Sequence, residues 1–165
     1  MSYYDSIASS YDRLHKEEQV RKLKTILPHI TVLPHHALLD VGCGTGVAFP
    51  FFNCSVKIGV DPAGQLLRRA PKLSQVVHAA GEAIPLRNGT FDIILCLTAF
   101  HNFTDHQKGL EEMKRVARPD AIFIITILKK IAKAQMLGDM IKSNFTVIKE
   151  LDDLHDNIYI CKNIN

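Results

Sequence analysis

Long apolar runs, charge of one sign and paired cysteines are all scarce in this sequence. No apolar run reaches the ~20 residues that a membrane-spanning helix requires. The net charge at pH 7 is only +3, whereas a surface that binds nucleic acid is usually strongly basic. The four cysteines, at positions 43, 54, 96 and 161, form no Cys-x-x-Cys pair, which argues against a zinc site. We therefore expect no membrane span and no bound metal, and the charge gives little support to a nucleic-acid partner.

The N-terminus also lacks a basic region followed by an apolar core, so we expect no secretory signal and a cytoplasmic location. A chain of 165 residues suits one domain. We predict a single domain over 1–165, with an N-terminal helical cap over 1–30 and a cofactor-binding core over 36–165.

Short apolar runs alternate with amphipathic segments along most of the chain. The apolar runs predict strands over 36–41, 55–60, 75–79, 91–97, 121–128, 145–148 and 157–161. The segments between them predict helices over 16–27, 46–52, 63–69, 105–117 and 129–143. Such alternation builds an α/β fold in which helices cover both faces of a parallel sheet. The predicted architecture is a doubly wound, mostly parallel seven-stranded sheet with a C-terminal antiparallel hairpin.

The most informative stretch is residues 40–46, which read Asp-Val-Gly-Cys-Gly-Thr-Gly and follow the first predicted strand. A strand that enters a glycine-rich turn is the element that binds nucleotide-like cofactors in open α/β sheets. Glycine has no Cβ, so the backbone can turn tightly and press against a ligand. A second marker is Asp61 at the end of the next strand, because a carboxylate there can accept hydrogen bonds from two ribose hydroxyls.

The spacing of the glycines indicates which cofactor is bound. They read Gly-x-Gly-x-Gly, so the third glycine comes one residue earlier than in a dinucleotide fingerprint. Asp40 also ends the first strand and faces the turn. Its negative charge is a poor neighbour for a pyrophosphate and a good one for an ammonium or sulfonium group. The stretch therefore favours S-adenosylmethionine over NAD.

Residues 38–46 closely resemble the first motif of the class I S-adenosylmethionine-dependent methyltransferases, which have a Rossmann-like fold. Residues 59–67, 80–86, 89–94 and 115–121 are similar to that family's later motifs, in the same order. The resemblance is strongest to the subgroup of small-molecule and quinone-biosynthesis enzymes. There, a segment similar to residues 4–12 folds over the cofactor. The resemblance implies a methyltransferase whose cofactor contacts are Tyr11, Asp40, Gly42, Cys43, Gly44, Gly46, Asp61, Pro62, Gly81, Glu82 and Leu97.

The chain departs from this subgroup at two places. Ala80 stands where the subgroup has an aspartate that accepts from the adenine amino group. We expect the Gly81 backbone N–H and apolar packing from Ile84 to hold the adenine instead. Residues 97–100 are also unlike the Asn-Pro-Pro-aromatic turn of enzymes that methylate exocyclic amino groups of bases. That difference argues against methylation of adenine or cytosine amino groups.

His101 is the candidate catalytic base, because it follows the fourth strand at the sheet edge where such folds bind ligands. Its intrinsic pKa of about 6.5 allows proton exchange near neutrality. The alternative is that it only packs against, or caps, the helix that begins near Thr104. Asn102 and His106 are weaker candidates. Phe103, like Phe100, suits either an apolar acceptor pocket or the core.

The resemblance implies a small-molecule methyl acceptor. An RNA acceptor is the alternative, supported by a set of lysines that a solvated helix face explains more simply: Lys129, Lys130, Lys133 and Lys142. A third possibility is a regulatory subunit that binds the cofactor without catalysis. Acceptor contacts must come from residues 1–30 and the loop 98–104, which leaves an open site. Either the acceptor is large, or a second subunit, in a homodimer or with another protein, covers the site, or residues 1–14 close it as a lid.

Overall fold

The computed structural model describes residues 16–72 and 74–164 and contains one seven-stranded sheet in the order β3-β2-β1-β4-β5-β7-β6. The strands are β1 Ala37–Val41, β2 Val56–Asp61, β3 Gln75–His78, β4 Phe91–Cys96, β5 Ala117–Leu128, β6 Phe145–Asp152 and β7 Asp156–Asn163. Strands β1 to β5 pair in parallel, whereas β7 pairs antiparallel with both β5 and β6. The predicted mostly parallel sheet with a C-terminal hairpin is confirmed.

Helices cover both faces of this sheet. They are α1 at 16–26, α2 Gly64–Leu67, α3 His106–Val116 and α4 Ala134–Asn144. The apolar side chains of α3 and α4, such as Met113 and Ile141, pack with Ile94 and Phe123 on one face. On the other face Leu23 of α1 joins the 49–52 segment over the β-strand residues Leu38, Ile93 and Ile124. Within the part of the chain that the structure describes, no helix is long and apolar enough to cross a bilayer.

The predicted helix over 46–52 is wrong. The segment is a series of turns followed by a short 3-10 helix, Phe49–Phe51. Gly44 and Gly46 have φ values of +53° and +75°, which no right-handed helix contains. Pro50 also has no N–H to donate. The segment that follows the glycine turn therefore consists of turns and one short 3-10 helix.

The last helix is shorter at its start than the sequence indicates. It begins at Ala134, not 129, because the N–H of Lys129 donates to the carbonyl of His155 at 2.9 Å and keeps the chain on the hairpin. Strand β5 begins earlier, at Ala117 in place of 121. The earlier start lengthens β5 at its amino end, opposite the edge where the site lies.

The sheet order reverses between β1 and β4, since β2 and β3 lie to one side of β1 and β5 lies beyond β4. In open α/β sheets the crevice outside the carboxyl ends of the strands at such a reversal is where ligands bind. Asp40 and Asp61 stand at the carboxyl ends of β1 and β2, and residues 97–105 follow β4. The fold thus brings these segments to one crevice.

Candidate cofactor and acceptor site

The glycine turn is tied to the neighbouring strand by its backbone. The N–H groups of Gly42 and Cys43 both donate to the Val60 carbonyl, at 2.8 and 3.1 Å. Gly42 has a φ of +78°, and a Cβ added there would lie 2.2 Å from the Cβ of Ala99. Glycine is therefore required at this position both by backbone conformation and by the close approach of the loop after β4.

Asp61 is the best-defined side chain of the crevice. Its Oδ2 accepts from the N–H of Gly44 at 2.8 Å, and its Oδ1 accepts from the N–H of Ala63 at 2.7 Å. A carboxylate has about four acceptor positions, so these two contacts fix its orientation. The glycine turn and the end of β2 thus hold Asp61 in one pose beside the cavity.

A cavity of about 410 Å³ lies between the glycine turn and the loop that follows β4. Five predicted cofactor residues line it: Gly42, Asp61, Pro62, Gly81 and Glu82. The remaining lining residues are Ala80, Ala99, Asn102, Phe103, Thr104 and Asp105. The volume is within the range of small-molecule sites. The structure therefore brings five of the eleven predicted cofactor residues to one cavity, whose opposite wall is formed by residues 99–105.

Two contacts join the opposite walls. Glu82 Oε1 accepts from the N–H of Thr104 at 2.7 Å, so this carboxylate holds the loop after β4 in place. A Cβ on Gly81 would lie 2.3 Å from Cζ of Phe103. The ring of Phe103 therefore covers the Gly81 backbone. The sequence allowed Phe103 to lie either in a pocket or in the core, and the structure places it in the cavity wall.

Ile84 does not face the cavity. Its side chain is buried in the core, and its backbone is anchored to α3. The N–H of Ile84 donates to Glu112 Oε2 at 2.8 Å, and Arg115 donates to its carbonyl at 2.7 Å. Arg115 also holds the pKa of the Glu112 carboxyl below its ordinary value. The expectation that Ile84 packs against an adenine is wrong, because this anchor turns the residue inward.

Asp40 is buried on the other side of Gly42. Burial, followed by the nearby charge of Asp61, raises the pKa of Asp40 to about 8. It lines a second, small cavity of about 30 Å³ together with Gln19 of α1 and the predicted residues Cys43 and Leu97. An acidic group in such a place is stabilised in its charged form by a nearby cation.

Cys43 is a buried thiol. Burial and the charge of Asp40 raise its pKa well above the ordinary value, so it is not a thiolate at neutral pH. A Cβ on Gly59 would lie 2.5 Å from the Cys43 sulfur, so position 43 has no room for a side chain larger than cysteine. Gly46 closes the turn by donating from its N–H to the Cys43 carbonyl at 2.8 Å. These residues shape the turn by their small size.

A buried polar network lies behind the loop after β4, and no sequence pattern indicated it. Lys22 of α1 is fully buried, and its Nζ lies 2.6 Å from Asp156 Oδ2 and 2.8 Å from Glu18 Oε1. It also donates to the hydroxyl of Thr98. Thr126 accepts from the N–H of Thr98 at 2.8 Å. The network joins the N-terminal helix to the ends of β4, β5 and β7.

Thr98 is the non-glycine residue with positive φ in the described chain, at +54°. A β-branched residue rarely adopts this conformation, which costs about 1–3 kcal/mol. The contacts from Lys22 and Thr126 hold it there. The strain turns the chain after β4, so that Ala99 and Asn102 reach the cavity wall.

His101 is only 8% exposed and does not line the large cavity. Asn102 is the residue of the same short 3-10 helix, Phe100–Asn102, that does. Its Nδ1 is buried with no hydrogen-bond partner among the described residues. Burial lowers its pKa, and nearby Asp156 partly opposes that shift. His101 thus lies behind the wall and keeps its ring neutral at pH 7. Tyr11 and the predicted lid over 1–14 lie outside the described residues.

The crevice fits the predicted cofactor. Gly42 lines the large cavity, Asp61 is oriented by two N–H donors, and Asp40 offers a buried carboxyl. This set suits a ligand that carries both a ribose and a cationic group. A pyrophosphate would meet four carboxyl groups, those of Asp40, Asp61, Glu82 and Asp105, and no basic side chain among the residues that line the two cavities.

Comparison with known proteins gives the family. A model described as "Methyltransferase domain" matches residues 39–125. Two uncharacterized proteins of Methanocaldococcus jannaschii are 28% and 31% identical over 89% and 79% of this chain. This chain spans 59% and 63% of their lengths.

The malonyl-[acyl-carrier protein] O-methyltransferase of Enterobacter lignolyticus is 28% identical over 73% of this chain and 50% of its own length. The tRNA (carboxymethyluridine(34)-5-O)-methyltransferase of Schizosaccharomyces pombe is 25% identical over 77% of this chain and 57% of its own.

Solved structures show the same fold. A chain from the complex of the Haloferax volcanii Trm112 methyltransferase activator with its methyltransferase partner has a TM-score of 0.84 at 13% identity. The match covers 100% of this chain and 99% of that one. A SAM-dependent methyltransferase from Aquifex aeolicus has a TM-score of 0.78 at 19% identity, covering 99% and 100% of the two chains. The chain therefore belongs to the methyltransferase domain family, in the class that depends on S-adenosylmethionine.

Proposed function

We propose that this chain transfers the methyl group of S-adenosylmethionine to a small-molecule acceptor. The observation that carries the proposal is the cavity of about 410 Å³ between Asp61 on one wall and residues 99–105 on the other. A cavity with a cofactor wall and a separate opposite wall suits a reaction that needs two ligands side by side. Holding them in line contributes about 7–11 kcal/mol to lowering the barrier.

The residues on the cofactor side bind and orient S-adenosylmethionine. Bound S-adenosylmethionine would supply an electrophilic methyl group on a sulfonium that leaves readily. Asp61 accepts hydrogen bonds from the ribose hydroxyls, and Gly42 lines the cavity beside it. Asp40 faces the cationic end. Because its pKa is about 8 without a cation nearby, binding a cation there releases a proton at neutral pH.

The acceptor-side residues position the acceptor and exclude water. Asn102 and Phe103 line the cavity, so we place them against the acceptor. His101 lies behind the wall and does not line the cavity, so we assign it no contact with the acceptor. Cys43 takes no part as a nucleophile, because burial keeps it a thiol.

The RNA alternative draws on the Schizosaccharomyces pombe relative, whose name states a tRNA substrate. Two of the lysines that would form a basic surface are neutralised within the chain. Lys129 lies 2.6 Å from Asp152, and Lys142 lies 2.9 Å from Glu150. Exposed pairs of this kind leave little net positive field. The small-molecule acceptor is therefore the favoured proposal, and an acyl or carboxylic acceptor is in keeping with the name of the Enterobacter lignolyticus relative.

A labelled-methyl screen tests the proposal. The protein is incubated with S-adenosylmethionine carrying a labelled methyl group, in one arm with a metabolite extract and in another with total tRNA. We expect label in small molecules from wild-type protein and much less from Asp61→Ala at a low concentration of S-adenosylmethionine. Label in tRNA alone, with a steep salt dependence, would favour the RNA alternative. Cofactor binding with no transfer in either arm, alone or with a partner subunit, would favour a regulatory role.

A further inference from the structure

Gln19 of α1 lines the small cavity beside Asp40. This cavity of about 30 Å³ has room for a small polar group, since one water molecule needs about 10–15 Å³. The other described residues that line it have small or apolar side chains: Gly42, Cys43, Val47, Ala48 and Leu97. Apart from the Cys43 thiol, its polar side chains are therefore those of Asp40 and Gln19.

The amide oxygen of Gln19 is a buried acceptor without a donor. The side chain is half-buried, and its Oε1 has no hydrogen-bond partner among the described residues. A buried carbonyl oxygen that lacks a donor is destabilising, so most such oxygens in native structures have one. The last torsion of a glutamine side chain is soft, so Oε1 can turn to a donor that enters the cavity. Gln19 thus offers an acceptor next to the carboxyl group of Asp40.

Two ion pairs hold α1 against the β6–β7 hairpin. The buried Lys22 lies 2.6 Å from Asp156, and Arg21 lies 3.0 Å from Asp153. Gln19 and Lys22 are three positions apart, so their side chains lie on the same side of the helix. A side chain on a firmly held helix keeps a defined position for a ligand contact. The ion pairs therefore fix Gln19 at the wall of the small cavity.

The polar groups of the small cavity suit an ammonium group. An ammonium has three N–H donors and no acceptor, so it bonds to carboxylate and carbonyl oxygens. Asp40 supplies the first kind of oxygen and Gln19 the second. No basic side chain occurs among the described residues that line this cavity. The group that enters it is therefore a cation.

The small cavity adjoins the large one. Gly42 lines both, and Asp61 stands in the large cavity on the other side of this glycine. A ligand whose ribose lies at Asp61 can therefore reach Asp40 and Gln19 with its other end. The amino-acid end of S-adenosylmethionine carries an ammonium group, which is the donor that these two side chains lack.

We propose that Gln19 accepts a hydrogen bond from the ammonium group at the amino-acid end of bound S-adenosylmethionine, beside Asp40. This inference rests on the cofactor of the proposed function. A short methylene chain joins that end to the sulfonium, so a fixed ammonium also limits where the methyl group points. Gln19 is thus a positioning residue that α1 adds to the cofactor site, and it selects for ligands with an amino group.

Calorimetry with three related ligands tests this contact without turnover. S-adenosylhomocysteine carries an ammonium and a carboxylate, its decarboxylated form carries the ammonium alone, and methylthioadenosine carries neither. Gln19→Met keeps the size of the side chain and removes the amide. We expect it to weaken binding of the first two ligands at least about tenfold, the loss expected for a hydrogen bond to a charged group. Binding of methylthioadenosine should stay as in wild type.

Two controls separate this contact from a loss of structure. Gln135→Met makes the same change on α4, where Gln135 is exposed and lines neither cavity, and it should bind all three ligands as wild type does. Ligand-free Gln19→Met should unfold at no lower temperature than wild type, because it loses a buried oxygen that has no donor.

Three results would overturn the inference. Equal affinity of wild type and Gln19→Met for S-adenosylhomocysteine would mean that Gln19 does not contact the ligand. An equal loss for all three ligands would give Gln19 a structural role in α1. A loss for S-adenosylhomocysteine but not for its decarboxylated form would place the carboxylate, not the ammonium, at Gln19. Failure of wild type to bind S-adenosylhomocysteine would be a different result, since it would reject the cofactor and the proposed function together with this contact.

Discussion

The two walls of the crevice differ in how the chain builds them. The defining groups of the cofactor wall come from one short segment, residues 40–61. The acceptor wall is backed by side chains gathered from distant parts of the chain, such as the buried Lys22–Asp156 pair behind Thr98. A wall made of backbone turns needs glycines at set positions. A wall made of side-chain contacts needs only that distant elements meet, so its residues can vary with the acceptor.

The largest expected effect is a loss of stability from a substitution in the network behind the acceptor wall. Asp156→Ala removes the buried carboxylate of Lys22 and leaves Glu18 as its remaining partner, so the loss should lie toward the lower end of the about 3–5 kcal/mol of unfolding free energy expected for a broken buried pair. Urea denaturation measures it. The double variant Lys22→Met with Asp156→Leu removes both charges and should recover most of that loss. If the single variant is as stable as wild type, the network does not support the loop after β4.

A smaller loss of stability is expected from a substitution in the glycine turn. Gly42→Ala places a methyl group 2.2 Å from Ala99 at a φ of +78°, and overpacking of this kind costs about 1–3 kcal/mol. Gly89→Ala is the matched control, since its φ is +59° and a Cβ there meets nothing within 4 Å. Thermal unfolding and calorimetry with S-adenosylhomocysteine should show a loss for Gly42→Ala well beyond that of the control. Equal losses in the two variants would mean that only the backbone conformation matters.

The smallest effect concerns protons at the cofactor wall. The pKa of Asp40 is raised to about 8 in the ligand-free protein, and a bound cation lowers it, so binding releases a proton below pH 8. Affinity for S-adenosylhomocysteine, through its ammonium group, should rise with pH from 6 to 8 by at most about tenfold per unit. Calorimetry in buffers of different ionisation enthalpy measures the proton release. Asp40→Asn should abolish the pH dependence, and a flat profile in wild type would remove Asp40 from the cation site.

The sequence predicts how the chain builds the crevice beside β1 and β2, because the signals there are local. Asp40, the glycine spacing and the Asp61 carboxylate lie within 22 consecutive positions, and the predicted parallel sheet follows from the alternation of elements. The helix over 46–52 could not be excluded from periodicity, because the positive φ of Gly46 depends on how the turn packs. The Lys22–Asp156 pair spans more than one hundred residues, and no local pattern reports such a contact. The orientation of Ile84 depends on its anchor to Glu112 in the same way.

Calorimetry of the wild-type protein and Asp61→Ala with S-adenosylhomocysteine, and of wild type with NAD, tests the central claim most directly. We expect wild type to bind S-adenosylhomocysteine and to bind NAD much more weakly. Asp61→Ala, with its fold checked by circular dichroism, should lose about 1–3 kcal/mol of binding free energy, because two ribose hydroxyls lose a charged acceptor. NAD binding as strong as that of S-adenosylhomocysteine, or an Asp61→Ala variant that is folded and binds as tightly as wild type, would contradict the account.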